Sequence, residues 1–178
     1  MNLYLRLLKL LLLLPFVRRR ALLEAGHIAF RVWPNDCDIN LHLNNGRYLT
    51  FMDLGRMHLL AQIGLLRELP RRRWAPVLSA AEINFIRPLR PFQKFDLVTR
   101  LLTWDEKYFY MEQRFEADGR LCALALVKGL FLYRHERVES RAVLSALDLD
   151  LVAPQMPEIV RHWNDLAILK KTAQESKP

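Results

Sequence analysis

Apolar and polar residues alternate with a period of two over residues 27–33, the spacing of a strand with one buried face. Over residues 48–63 the chain is apolar nearly all round and holds no proline, which predicts a helix enclosed within a domain and ended by Gly64. Four more strands follow, at 76–87, 95–103, 108–116 and 121–133. Ala81, Ile83 and Phe85 share one face of the first, and Phe109, Met111 and Phe115 share one face of the third, as a sheet with one side against a helix requires. Asp118-Gly119 predicts a tight hairpin. The run Leu121-Cys122-Ala123-Leu124-Ala125-Leu126-Val127 is apolar on both faces, so the last strand belongs inside the sheet or at a subunit interface. Beyond Pro154, the helical spacing of Ile159, Trp163 and Leu166 predicts a short amphipathic helix on the outside. The pattern is α+β: one antiparallel sheet wrapped around one central helix.

The first twenty residues follow another rule. Leu10 to Leu14 form an unbroken apolar run between Lys9 and Pro15, too short for the ~20 residues a bilayer-spanning helix needs. The Arg18-Arg19-Arg20 triplet follows that run and no small-residue cleavage site does, which argues against secretion. Wound as a helix, the segment places Asn2, Arg6, Lys9 and Leu13 on one narrow stripe and leaves a broad leucine face. Two readings stay open: a helix lying in a membrane interface with the arginines on anionic lipid, or leucines packed onto the domain or a second subunit. The expected organisation is 1–26 as this N-terminal helix, 27–151 as the domain and 152–178 as the outer helix and polar tail.

With 52% hydrophobic residues and 6 glycines in 178, the chain has apolar side chains enough for one real core. Cys37 and Cys122 lack disulfide-framework or zinc spacing and the five histidines do not pair, so no metal or cofactor is expected and a reducing, cytoplasmic setting is. The charge of +8 is mostly arginine, at 18–20, 71–73 and Arg87/Arg90, and points to an anionic partner. Nucleic acid fits poorly: the aromatic residues lie in alternating strands rather than among the basic clusters, and no finger, recognition helix or RNP-like strand is present.

The chemistry concentrates in Asp38-Ile39-Asn40-Leu41-His42-Leu43-Asn44-Asn45-Gly46-Arg47-Tyr48, between the first strand and the central helix. A carboxylate here sits beside a helix N-terminus, whose unpaired N–H groups and positive dipole end can stabilise an oxyanion. These residues resemble the hotdog-fold acyl-CoA thioesterases of the 4-hydroxybenzoyl-CoA thioesterase type, whose pattern reads D-x-x-G-H-x-N-N-x-x-Y. The one departure is Leu41 in place of Gly, shared with the subgroup that includes the animal thioesterase superfamily member six. The likeness runs over 27–133, through Phe85-Ile86-Arg87-Pro88-Leu89 and the hairpin at Trp104-Asp105-Glu106-Lys107.

The resemblance implies a hotdog fold, an acyl-CoA substrate whose phosphates suit guanidinium forks, and an assembly of at least two copies, homodimer or homotetramer. It also implies that Asp38 acts as nucleophile or general base while the Asn45 N–H polarises the thioester carbonyl. His42 is a candidate to orient Asp38 or touch substrate, against the reading of a buried histidine bonded to backbone. Asn44 and Asn45 are also good N-cap residues, Tyr48 fits a core position as well as a substrate contact, and Arg87 is the arginine to suspect at pantetheine or phosphate. Glu82 reads as solvent-facing. For Asp38 itself the competing reading is an acid that orders its own loop. A hotdog hydratase would pair its acid and base at another spacing; Asp38 and His42 lie four apart, followed by Asn-Asn. A non-catalytic acyl-CoA or lipid carrier stays open because Leu resists a backbone conformation that Gly permits.

Overall fold

The computed structural model describes residues 2–13 and 16–175. Helix α1 (Asn2–Leu13) precedes strand β1 (Gly26–Arg31), a 3-10 turn (Pro34–Asp36) and the central helix α2 (Asn45–Gln62). Then come α3 (Leu65–Arg72), β2 (Ala75–Phe85), β3 (Lys94–Trp104), β4 (Phe109–Ala117), β5 (Arg120–Tyr133), the short β6 (Glu136–Val138), α4 (Ser140–Ser145) and α5 (Glu158–Glu175). The sheet is antiparallel in the order β1-β3-β4-β5-β2, with β6 on the end of β5.

The long apolar strand is internal, as its two-faced pattern required: β5 pairs with β4 on one side and β2 on the other. Asp118 and Gly119, at φ 52° and 69°, make the tight β4–β5 turn. Gly64 ends the helical run at φ 88°, a conformation that costs a residue with a side chain about 1–2 kcal/mol.

Helix α2 lies across the inner face of the curled sheet. Tyr48, Phe51 and Met52 meet Phe95 and Leu97 of β3, Phe115 of β4 and Ala123, Ala125 and Val127 of β5. The rings are mutually edge-on or stacked, with centroids of Phe51 and Phe95 5.1 Å apart and of Tyr48 and Phe115 4.8 Å apart. Each such ring taken out of water contributes about 2 kcal/mol, so the start of α2 is held firmly in place. Gly55 lets the middle of the helix approach β3, since a Cβ there would stand 2.7 Å from Leu97 Cδ2 and 2.8 Å from Thr99 Oγ1. A second apolar cluster joins Leu65 and Leu69 of α3 to Leu101, Trp104, Phe109 and Phe131 of the sheet and to Val143 and Leu144 of α4.

Arg6, on the narrow stripe of α1, turns its guanidinium into the protein, where it is largely buried. On α5 the fully buried anchor is Val160, whereas Ile159 and Leu166 stay about half exposed. The outer helix is also longer than expected. It is tied to the sheet by polar contacts, with Lys128 Nζ donating to Asn164 Oδ1 at 2.9 Å and Asn164 Nδ2 donating to the Tyr110 hydroxyl at 3.1 Å.

Candidate active site

The segment from Trp33 to Asn44 is a loop built on one buried carboxylate. Asp36, 1% exposed, accepts the Trp33 N–H on Oδ2 at 2.8 Å, and its carbonyl accepts the Asn44 N–H at 2.9 Å. Arg6 of α1 grips the same carboxylate at two points, 3.1 Å from Oδ1 and 2.6 Å from Oδ2. The Leu43 N–H donates to the Leu89 carbonyl at 2.8 Å and pins the far end of the loop beside β3.

Asp38 heads the tight turn at the tip of this loop. Its N–H donates to the His42 carbonyl at 3.0 Å, its carbonyl accepts the Leu41 N–H at 3.1 Å, and its Oδ1 accepts the Asn40 N–H at 2.9 Å. Oδ2 meets no hydrogen-bond donor among the described residues. The Asp38 side chain is 21% exposed, and His42 Nδ1 lies 3.7 Å from Oδ1, beyond hydrogen-bond range but close enough for an ion pair when the ring is charged. Leu41 takes φ 56°, the left-handed conformation that Gly adopts without strain, with its side chain turned out to solvent. Leu therefore holds the backbone path that the glycine pattern calls for.

Asn44 caps α2, its side-chain oxygen accepting the Gly46 N–H at 2.9 Å. Asn45 is the first helical residue, and its N–H has no acceptor among the described residues. Asp38, His42, Asn44 and Asn45 thus converge in one loop. Tyr48 lies one turn further on, fully buried between Phe85 and Phe115, and burial, with Cys122 nearby, pushes its hydroxyl up to about 12. Arg87 is placed beyond the end of β2, where Nη1 donates to the Leu121 carbonyl at 2.7 Å. Burial, reinforced by Asp36 and Asp38, raises the Cys37 thiol and so keeps it un-ionised.

None of these residues lines the apolar cavity of about 260 Å³ that lies under the second half of α2, bounded by Met57, Leu60, Val77, Met111, Phe131 and Val143. Its polar wall is Asp53 and Arg56. Arg56 donates to Asp53 and, at 2.8 Å, to Gln113 Oε1; Gln113 in turn donates to the Met52 carbonyl at 3.0 Å and to Thr99 Oγ1 at 2.9 Å. Burial pulls Arg56 below its usual pKa despite the neighbouring carboxylate. Sequence reasoning missed this group, although Gln113 stands in phase with Phe109, Met111 and Phe115, where a polar residue on a buried face is a signal.

The family model of the thioesterase-like superfamily matches residues 32–164, from the Asp38 loop through strands β2 to β6 and into α5. The chain belongs to this superfamily. As a thioesterase-like protein it is 33% identical over 134 residues to the frog Protein THEM6 of Xenopus laevis, a match covering 74% of this chain and 63% of that one. With the zebrafish (Danio rerio) Protein THEM6 it shares 34% identity over 136 residues, 75% of this chain and 65% of the other. The chain thus spans just under two thirds of either vertebrate relative. It is also 32% identical over 99 residues, 53% of this chain and 43% of the other, to a protein of Saccharomyces cerevisiae called a probable thioesterase. Solved structures of the same fold include a probable thioesterase from Escherichia coli, with TM-score 0.62 and 20% identity over 68% of this chain and 96% of that one. A gentisyl-coenzyme A thioesterase superposes with TM-score 0.60 at 23% identity, covering 70% of this chain and all of that one (100%). The observed fold of this thioesterase-like chain is therefore the hotdog fold.

Proposed function

We propose that this thioesterase-like protein hydrolyses acyl-CoA thioesters to the free acid and CoA, with Asp38 as nucleophile or general base. One observation carries the reading: the Asp38 loop joins a carboxylate with an uncommitted oxygen to a helix start with an uncommitted N–H. A thioester asks little more. Its leaving thiol has a pKa near ~8.5, so the C–S bond breaks without a strong general acid. In the base-catalysed form Asp38 takes a proton from water, the water oxygen bonds to the carbonyl carbon, and the Asn45 N–H receives the oxyanion without reorganisation. His42 then orients Asp38 or contacts the thioester, Asn44 fixes the helix start, Tyr48 forms the inner wall, and Arg87 turns its remaining donors toward the phosphates of CoA.

The separation of Asp38 from the apolar cavity supports a site shared between two copies. Strand β2 is an edge with exposed apolar residues, Val77, Leu78 and Phe85 among them. Two β2 edges paired antiparallel about Ala81 bring the Phe85 end of one copy, which touches Tyr48 at the start of α2, beside the Val77 mouth of the other's cavity. The acyl group then leaves one subunit's Asp38 and enters the other subunit's cavity.

The test is thiol release from short, long and aromatic acyl-CoAs by the wild type and Asp38→Asn. Wild-type turnover that falls by about a thousandfold in the variant supports the assignment. Activity unchanged in the variant removes Asp38 from the chemistry, and a folded protein that binds acyl-CoA without turnover is a carrier instead.

A further inference from the structure

Helix α1 is docked by a charged residue, and most of its leucines face out. Arg6 is the inward group: besides gripping Asp36, it donates to the Arg31 carbonyl at 2.9 Å and lies 4.4 Å over the Phe51 ring. Leu10 is buried with it, while Tyr4, Leu5, Leu8 and Leu12 are each more than half exposed. An ordinary surface helix turns the other way. Phe16 is exposed as well, and no other described part of the chain covers the stripe.

Beside this stripe runs a groove between α1 and the edge strand β1. Its walls are apolar, with Leu5, Phe30 and Trp33, and its charged rim is Lys9, Arg31 and Lys94 in addition to Arg6. Among the described residues no carboxylate lines it. Arg18, exposed, follows the helix, whereas the Arg19 guanidinium rests against Gly64. Leucines and an aromatic pair, Trp33 against Phe92, bordered by cations of one sign match the acyl boundary and headgroup layer of an anionic bilayer. A helix of 12 residues is about 18 Å long against a hydrocarbon core of ~30 Å, and no described helix is long and apolar enough to cross a membrane.

We propose that α1, with the β1-side groove, seats this protein on an anionic phospholipid surface. The leucine stripe enters the acyl boundary, the flanking lysines and arginines meet headgroups, and the inward Arg6 keeps the helix fastened to the domain in that orientation. The charge pattern decides for lipid over a second copy of the chain, because two such faces would bring like charges together.

Flotation of the full chain with phosphatidylcholine vesicles, with and without phosphatidylglycerol, tests the seat independently of any catalysis. Binding is expected with phosphatidylglycerol, roughly tenfold or more weaker without it, and weaker again in high salt. The double variant Leu8→Glu/Leu12→Glu changes only exposed positions and is expected to lose roughly a hundredfold in partitioning with its melting temperature unchanged. Ile168→Glu/Leu169→Glu, exposed apolar positions on α5, is expected to float as the wild type does. Three outcomes overturn the proposal: no flotation with phosphatidylglycerol at low salt, flotation unchanged by Leu8→Glu/Leu12→Glu, or a drop in solution mass in that variant, which would show the stripe covered by another copy.

Discussion

The two edges of this sheet are treated in opposite ways. At one side β1, only six residues long, has α1 alongside it, with a basic groove between and Arg6 bonded to its last carbonyl. At the other side β2, eleven residues long, keeps its outer backbone edge bare and exposes Val77, Leu78 and Phe85. An unpaired edge is a template for another strand, and proteins that leave one long and apolar either aggregate or use it. The contrast teaches that this chain covers one edge with a helix and leaves the other open, and the open edge is the one that the proposed pairing of two copies uses. The Asp38 loop hangs from the covered side, through Asp36 and Arg6, while Pro76, Val77 and Leu78 of the bare strand line the apolar cavity.

The most disruptive way to break the contrast is to charge the bare edge. Ala81→Glu places a carboxylate at the centre of the proposed β2–β2 pairing, where it would face its own copy, at a cost of several kcal/mol to assembly. Light scattering is expected to show monomers at micromolar concentration, and thiol release should fall with the mass because acyl cavity and Asp38 then belong to separate molecules. A variant of unchanged mass would remove β2 as the interface.

Next in size is the covered side. Arg6→Ala takes the guanidinium from a buried carboxylate, a loss of about 3 kcal/mol for a pair this enclosed. The damage is expected to be local: faster amide exchange from Trp33 to Asn44 and in α1, with the β2–β5 ladder protected as before. Arg6→Lys should restore part of it, since an ammonium makes one contact where the guanidinium makes two. Exchange in that loop unaltered by Arg6→Ala would mean that the helix does not hold the site.

Much of this arrangement was legible in the sequence. The strands followed from alternation, the internal place of β5 from its two apolar faces, and the site loop from Asp38 to Tyr48. What was not legible depends on distance along the chain. Arg6 reads as one polar residue among leucines until the fold brings it to Asp36, 30 positions away. Helix α3 was hidden because Pro70 and the arginines after it mask its short amphipathic pattern, and its leucines find partners in the later strands and α4. The cavity belongs to no segment, since its walls come from α2, four strands and α4.

A smaller effect distinguishes the covered side by pH. His58, half-buried on α2, is held below its usual pKa of about 6.5 chiefly by burial and then by Arg20, whose N–H ties the N-terminal segment to the Gln62 carbonyl at 3.1 Å. Below the unfolded value the unfolded chain binds more protons than the fold does. The stability that His58 contributes is therefore present above pH ~6.5 and lost as pH falls through the window beneath it. Thermal melts of wild type and His58→Gln between neutral and mildly acidic pH should converge or cross, the variant having the flatter profile. Parallel profiles would show that His58 is not the group responsible.

The smallest prediction concerns the one position where the chain departs from the glycine pattern. At φ 56° Leu41 bears a left-handed strain of about 1–2 kcal/mol, while Gly would relieve it but add unfolded-state entropy worth about 0.5–1 kcal/mol. The two effects nearly offset, so Leu41→Gly is expected to shift stability by less than about 1 kcal/mol. Its value lies in what else moves. The Leu41 side chain stands in solvent at the turn that carries Asp38, where a thioester approaching along the start of α2 would pass it. If that side chain only shields the entrance, Leu41→Gly should lower KM for bulky acyl groups and leave kcat alone. A change in kcat with KM constant would instead show that Leu sets the carboxylate's position, and the departure at this position would then be tuning the chemistry rather than the doorway.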